Sequence, residues 1–373
     1  MTGATGLLGW HAHARLHAAN CLAQFKGQAI PYEIVALDRI AFNNPDQLRA
    51  ALTKAYAVLH FAGVNRGSEE EVEAGNPAIA AQLAEACQAV DATVHIIYAN
   101  STHAVTETPY GRGKRRAGEI LSAATPYFTS IVLPHIFGEG ARPFYNNVTA
   151  TLIQQILTDE APSVNPDGKV RLLHAGSAAQ TAIDAAITGT TGELAPEARP
   201  MAVPDLLAQL QKFHSLYSNN IFPDLSESFD CALFNSYRAA SYPNGWPRPL
   251  CLNRDERGAL FEAVKGGGGG QTFLSTTRPG VTRGNHFHLN KVERFLVVQG
   301  EAIIRIRKVL SDEVWEYSVS GDTPAAVDMP TLHTHSITNT GDTDLLTLFW
   351  THDLFDPTSP DTFADKVFCN EKT

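Results

Sequence analysis

Residues 280–300 read GVTRGNHFHLNKVERFLVVQG. His286 and His288 flank a single phenylalanine, so on a strand both imidazoles project to one face, and Glu293 follows on the strand expected to pair with it. A second segment, PTLHTHSITN at 330–339, brings another imidazole at His335. Three imidazoles and a carboxylate make a nitrogen and oxygen donor set suited to Zn, Fe, Mn or Ni, with a position left open for substrate. Outward from this stretch, the runs GQTFLSTT, EAIIRIRKV, VWEYSVS and LLTLFW alternate with Gly, Asp and Pro turns from residue 250 onward, which predicts an all-β sandwich or barrel. The glycine run 266–270 lies between ALFEAV and QTFLSTT and reads as a hairpin loop.

Toward the N-terminus the grammar changes. Runs at 32–37 (YEIVAL), 57–61 (AVLHF), 94–98 (VHIIY) and 129–133 (TSIVL) are β-rich, and helix-like segments at 77–90, 113–123 and 147–157 lie between them. Such alternation predicts an α/β Rossmann-like parallel sheet. Residues 218–249 are irregular, rich in Ser, Asn, Pro and aromatics, and read as a connector. The expected organisation is an NAD(P)-binding domain over 1–217, a connector over 218–249 and a β domain over 250–373.

Gly3, Gly6 and Gly9 in TGATGLLG have the spacing that lets a backbone approach a pyrophosphate at a helix N-terminus. YEIVAL ends at Asp38-Arg39, where an acid would bond a free ribose 2′-OH and an Arg would accept a 2′-phosphate, so the residues leave NAD and NADP open. Ala62 and Gly63 are small enough for a dinucleotide to lie against the next strand's end. Ser101, Tyr110 and Lys114 complete the set: an ammonium one helical turn from a phenol would lower its pKa for proton transfer to a carbonyl, which the Ser hydroxyl orients. His11, His13 and His17 read as surface residues.

Length and composition fit this division. The 373 residues suffice for two or three domains, and 44% hydrophobic with 18% charged residues lies in the globular range. A formal charge of −10 argues against nucleic acid as a partner. The five cysteines (Cys21, Cys87, Cys231, Cys251, Cys369) form no C-x-x-C pair, which predicts a reducing cytosol. There is neither an apolar run of the ~20 residues a membrane helix needs nor a secretory leader, so a soluble cytoplasmic protein is expected.

The first half resembles the extended short-chain dehydrogenase/reductase family. The second resembles the cupin family, following its two motifs with Leu332 in place of a usual glycine. Segments such as LHFAGVNR, FGEGARPFYNNV, the 280–300 stretch and FDPTSPDTF together resemble the CapF family of capsular polysaccharide synthesis enzymes. The resemblance implies a bifunctional homodimer acting on a UDP-sugar. The cupin, with a divalent metal such as Zn on His286, His288, Glu293 and His335, would epimerise C3 of UDP-2-acetamido-2,6-dideoxy-β-L-arabino-hex-4-ulose. The reductase domain would then reduce the C4 ketone with NADPH to UDP-2-acetamido-2,6-dideoxy-β-L-talose, toward UDP-N-acetyl-L-fucosamine. Lys291 and His333 both stay open as the epimerising base, and His333 and His352 are weaker as ligands. Reductase domains of this kind begin with a full strand before the glycine loop; here the loop starts at Thr2, so that central strand is missing and a start further upstream is expected. The alternative is a nucleotide-sugar reductase with a non-catalytic cupin used for binding or dimerisation, or a chain that only regulates.

Overall fold

The computed structural model describes residues 1–90 and 93–368. Two compact units form. One contains Met1–His17, Tyr32–Leu152 and Ser163–Leu206; the other contains Ala18–Pro31, Ile153–Pro162 and the chain from Leu207 onward. Cys369 lies outside the described residues, and among the described residues Cys21, Cys87, Cys231 and Cys251 form no disulfide. Among the described residues no helix is long and apolar enough to cross a membrane.

In the first unit the strands Ala57–His60, His95–Ser101, Phe128–Leu133 and Gly192–Leu194 pair in that order, all parallel. The two-residue alternation of a strand sends Leu59, Ile97, Ala99 and Ile131 into one core, and Val58, Ile96 and Tyr98 into another on the opposite face. Helices therefore cover both faces, the arrangement of a doubly wound sheet. The strand expected at 32–37 is corrected. Only Leu37 forms a bridge, to Thr2, which bridges His60 on its other side. Met1-Thr2 thus occupies the central position, with the Met1 ammonium donating to Val35 O at 2.8 Å and Thr2 N–H to Leu59 O at 3.0 Å. Two residues supply too few ladder bonds to make a strand of YEIVAL.

In the second unit two antiparallel sheets face each other in the cupin-like manner. One orders Gln271–Thr277, Leu345–Thr351, Glu293–Gln299, Ala325–Met329 and Arg248–Pro249; the other orders Val314–Ser320, Glu301–Lys308, His333–Asn339, Thr282–Phe287 and Phe363–Ala364. Two sequence expectations change here. Lys265–Gly266 pairs in parallel with Ile221–Phe222, and Gly267 N–H donates to Phe222 O at 3.0 Å, so the glycine run lies along another segment and is not a hairpin loop. The irregular segment contains the helix Ser228–Ser241, whose buried Cys231, Phe234, Asn235 and Arg238 recur at helical spacing.

Candidate active sites and metal centre

The glycine turn is shaped by close backbone approach. Gly3 has φ +65°, and a Cβ there would lie 2.6 Å from Ala62 N; a Cβ on Gly9 would lie 2.1 Å from Gly3 O. Gly6 differs, because its Cβ would meet only Gly3 O at 3.3 Å, and the residue is exposed. Gly3 and Gly9 therefore form the turn, and Gly6 keeps the backbone before the helix Leu7–Phe25 open to a pyrophosphate. At Gly63 a Cβ would come 2.8 Å from Asn76 Oδ1, which already accepts from Val64 N–H. Asp38 and Arg39 are exposed, but one Asp38 oxygen is taken up capping the short helix Arg39–Asn43 through Ala41 N–H at 2.7 Å.

Thr108 caps the helix Pro109–Ala124, and Pro109 supplies its preset first turn. Tyr110 and Lys114 consequently share one face, beside Ser101 at the C-terminal end of His95–Ser101. Burial raises the Tyr110 phenol's pKa, and the neighbouring Ser101 hydroxyl partly offsets the rise. Lys114 Nζ lies 4.2 Å from the centre of the Tyr98 ring and donates to Ala99 O at 2.5 Å, and burial pushes its pKa down to about 7. His11 corrects another expectation: it is fully buried, with Nε2 2.9 Å from Glu139 O and near the His174–Glu139 pair at 2.8 Å, while His13 and His17 are half-buried.

In the second unit the four sequence-selected residues meet. One ligand atom from each of His286, His288, Glu293 and His335 lies within 4.8 Å of the others. Glu293 Oε2 is 3.0 Å from His288 Nε2 and 3.2 Å from His335 Nε2. The opposite ring nitrogens donate to backbone carbonyls: His288 Nδ1 to Asp361 O at 2.6 Å and His335 Nδ1 to His333 O at 3.2 Å. Those bonds set the tautomers, so two Nε2 lone pairs converge on a carboxylate oxygen. A proton or a cation must lie among them, and this donor chemistry fits a divalent metal.

The sequence reading missed two features that build this cluster. A bulge interrupts pairing between Gly284 and His286, with Gly284 at φ +94° and Asn285 at φ +57°. A Cβ on Gly284 would lie 2.8 Å from His335 O, so the glycine lets the two histidine-bearing strands close on each other. Asp361 is the other: its carboxylate accepts from the backbone N–H of Leu289, Asn290 and Lys291, fixing the turn after His288. Lys291 Nζ donates to Pro360 O at 2.7 Å; His333 is buried, its Nδ1 donating to Thr331 O at 2.8 Å. His352 stands outside the cluster, accepting from Val292 N–H at 3.1 Å with Nε2 3.5 Å from Cys231 Sγ.

Comparison with known proteins matches both halves. Residues 1–185 fit the NAD dependent epimerase/dehydratase family and residues 253–363 the polysaccharide biosynthesis C-terminal domain. A Pseudomonas aeruginosa protein named UDP-2-acetamido-2,6-beta-L-arabino-hexul-4-ose reductase is 27% identical over 376 residues, 98% of each chain. The capsular polysaccharide assembling protein CapF from Staphylococcus aureus is similar at 29% identity and a TM-score of 0.57, covering 98% of this chain and 99% of that one. A structure of CapF with the inhibitor 3-isopropenyl-tropolone gives 29% identity and a TM-score of 0.53 over 98% and 99% of the two chains. Over nearly its whole length, therefore, this chain is similar to CapF, with a match to the epimerase/dehydratase family ahead of a match to the polysaccharide biosynthesis C-terminal domain.

Proposed function

We propose that the chain is a bifunctional nucleotide-sugar enzyme. Its cupin unit epimerises C3 of UDP-2-acetamido-2,6-dideoxy-β-L-arabino-hex-4-ulose, and its reductase unit reduces the C4 ketone with NADPH to UDP-2-acetamido-2,6-dideoxy-β-L-talose. The observation that carries the reading is the convergence of His286, His288, Glu293 and His335 in a chain that also brings Ser101 to Tyr110. The name of the Pseudomonas aeruginosa relative supports the reductase half.

The order of the two steps follows from carbonyl chemistry. The C3 proton is acidic only while C4 is a ketone, so epimerisation precedes reduction. A divalent metal held by the four ligands, Zn in this reading, supplies Lewis-acid stabilisation of the oxyanion that develops at the C4 oxygen when C3 is deprotonated. In the reductase unit Ser101 orients the C4 carbonyl, and Tyr110 gives its phenolic proton to the oxygen as the NADPH hydride arrives. Gly3, Gly6 and Gly9, with Ala62 and Gly63, receive the cofactor; Arg39 pairs with its 2′-phosphate.

A homodimer in the cytoplasm is part of the proposal. Gln271–Thr277 is an edge strand with Leu274 67% exposed, a surface that a second copy would cover. The test is product analysis by mass spectrometry and NMR after incubation with the UDP-4-ketosugar and NADPH. The talo product supports the assignment; a reduced product with unchanged C3 leaves a plain reductase, and no reduction removes the proposal.

A further inference from the structure

Three side chains able to bind a metal are buried together in the first unit: His11 is 0% exposed, Glu139 2% and His174 8%. Each comes from a different element. His11 lies on the helix Leu7–Phe25, His174 ends the strand Lys169–His174, and Glu139 follows the strand His135–Phe137. Those two strands run parallel with Phe137 opposite His174, so their C-terminal ends reach the same edge. Gly138 makes the close approach possible. A Cβ there would lie 3.3 Å from both His11 Nε2 and His174 Nε2, and 3.0 Å from the Ala175 Cβ.

One ligand atom from each residue lies within 4.8 Å of the others. Glu139 Oε2 is 2.8 Å from His174 Nε2 and 3.7 Å from His11 Nε2, and the Glu139 carbonyl oxygen is 2.9 Å from His11 Nε2. Donor atoms around a tetrahedral ion with arms of about 2.0–2.1 Å stand about 3.3–3.4 Å apart, inside the span of these separations. The two imidazole centres are 5.4 Å apart, against 5.2 Å for His288 and His335 in the cupin cluster.

The chemistry agrees with the geometry. Burial pushes the His11 pKa down to about 3 against the pull of Glu139, so the ring is neutral, as a metal ligand must be. Burial would raise the Glu139 pKa, but the two imidazoles outweigh it and hold the carboxyl below its ordinary range. An ionised carboxylate in the interior calls for a cation beside it. Buried histidines ordinarily satisfy both ring nitrogens, yet among the described residues His11 Nδ1 has no hydrogen-bond partner, and only the nitrogen turned to Glu139 is engaged. That leaves Nδ1 to carry the ring proton when Nε2 gives its lone pair to an ion. We propose that His11, Glu139 and His174 form a second metal site, taking a divalent ion of the Zn class through the two Nε2 atoms and a Glu139 carboxylate oxygen. It ties the helix after the glycine turn to the parallel pair of strands, and it shares no residue with the cupin cluster in the other unit.

Zinc-edge anomalous diffraction from crystals of the full chain grown with ZnCl2 tests the site directly. A peak about 2.0–2.1 Å from His11 Nε2 and His174 Nε2 is the expected result. No peak among the three side chains overturns the proposal, and a peak at the cupin ligands alone does so while leaving the proposed function intact. In solution, titration against a chromophoric chelator should find two tightly held zinc equivalents per chain, one lost in His335→Ala and the other in Glu139→Gln or His174→Asn. Glu139→Gln keeps the side chain's size and an acceptor for His174, so a purely hydrogen-bonding role would leave the titration unchanged, and that result overturns the site. A single equivalent that survives His335→Ala and is lost in Glu139→Gln upholds this site and removes the cupin metal instead.

Discussion

At Tyr110 the environment separates two questions that a sequence motif joins. Burial raises the phenol's pKa, which keeps its proton in place at neutral pH, and the nearby Ser101 hydroxyl offsets part of the rise. In the proposed reaction that hydroxyl is the proton donor to the carbonyl oxygen. Tyr110→Phe is expected to lower NADPH-dependent ketone reduction about a hundredfold or more while deuterium exchange at C3 continues. Unchanged NADPH consumption in that variant removes Tyr110 from the mechanism. Lys114 carries a second prediction. Its folded pKa, about 7, lies below the ordinary 10.5, so between these values the unfolded chain binds a proton that the folded chain does not. Stability therefore rises with pH across that window, by up to about 1.4 kcal/mol per pH unit from this group, and is flat in this term below it. Lys114→Met should remove that slope when urea midpoints of the two proteins are compared from pH 7.5 to 9.5. Parallel slopes would show that the ammonium is better solvated than its burial implies.

Among the elements, those whose hydrophobic period was complete were legible in advance. AVLHF, VHIIY and TSIVL form the strands Ala57–His60, His95–Ser101 and Phe128–Leu133, because each is flanked by a partner and buried on both faces. YEIVAL has the same composition but only Met1-Thr2 beside it, and strand propensity without a ladder yields an extended segment. The helix Ser228–Ser241 was hidden by its Ser, Asn and Tyr content, although Cys231, Phe234, Asn235 and Arg238 carried the period that tertiary packing rewards. In the metal cluster the ligands could be read from alternation, but the bulge that aims them could not, since nothing in RGNHFH marks which residue is unpaired. Leu332 shows the limit in another way: it holds φ +59° with its side chain buried, so a leucine stands where the backbone favours glycine. Gly284 supplies the element-scale test. Gly284→Ala places a methyl 2.8 Å from His335 O at a positive φ, and should destabilise the second unit by about 1–3 kcal/mol. Zn affinity should fall with it, read by titration against a chromophoric chelator; full affinity in the variant would mean the two strands have room to part.

For the whole molecule, the proposed function has the two units divide one chemical problem. Reduction destroys the ketone that makes C3 acidic, so a chain carrying both activities must let the cupin act on the substrate before the reductase consumes it. The separation is testable because the four cupin ligands and the Ser101–Tyr110 pair belong to different units. Chelation, or His335→Ala, is expected to stop deuterium wash-in at C3 when the 4-ketosugar is incubated in heavy water without NADPH. NADPH binding should be unchanged, since none of the candidate cofactor residues contributes to the metal set. With NADPH added, the metal-free protein should either turn over slowly or release the product with C3 unchanged, according to how strictly the reductase unit discriminates at C3. The exchange experiment decides because it omits hydride transfer altogether. Wash-in at full rate after complete metal removal would reduce the metal to holding the barrel together and would move the deprotonation chemistry to groups such as Lys291 or His333, whose contacts with Pro360 O and Thr331 O would then have to open.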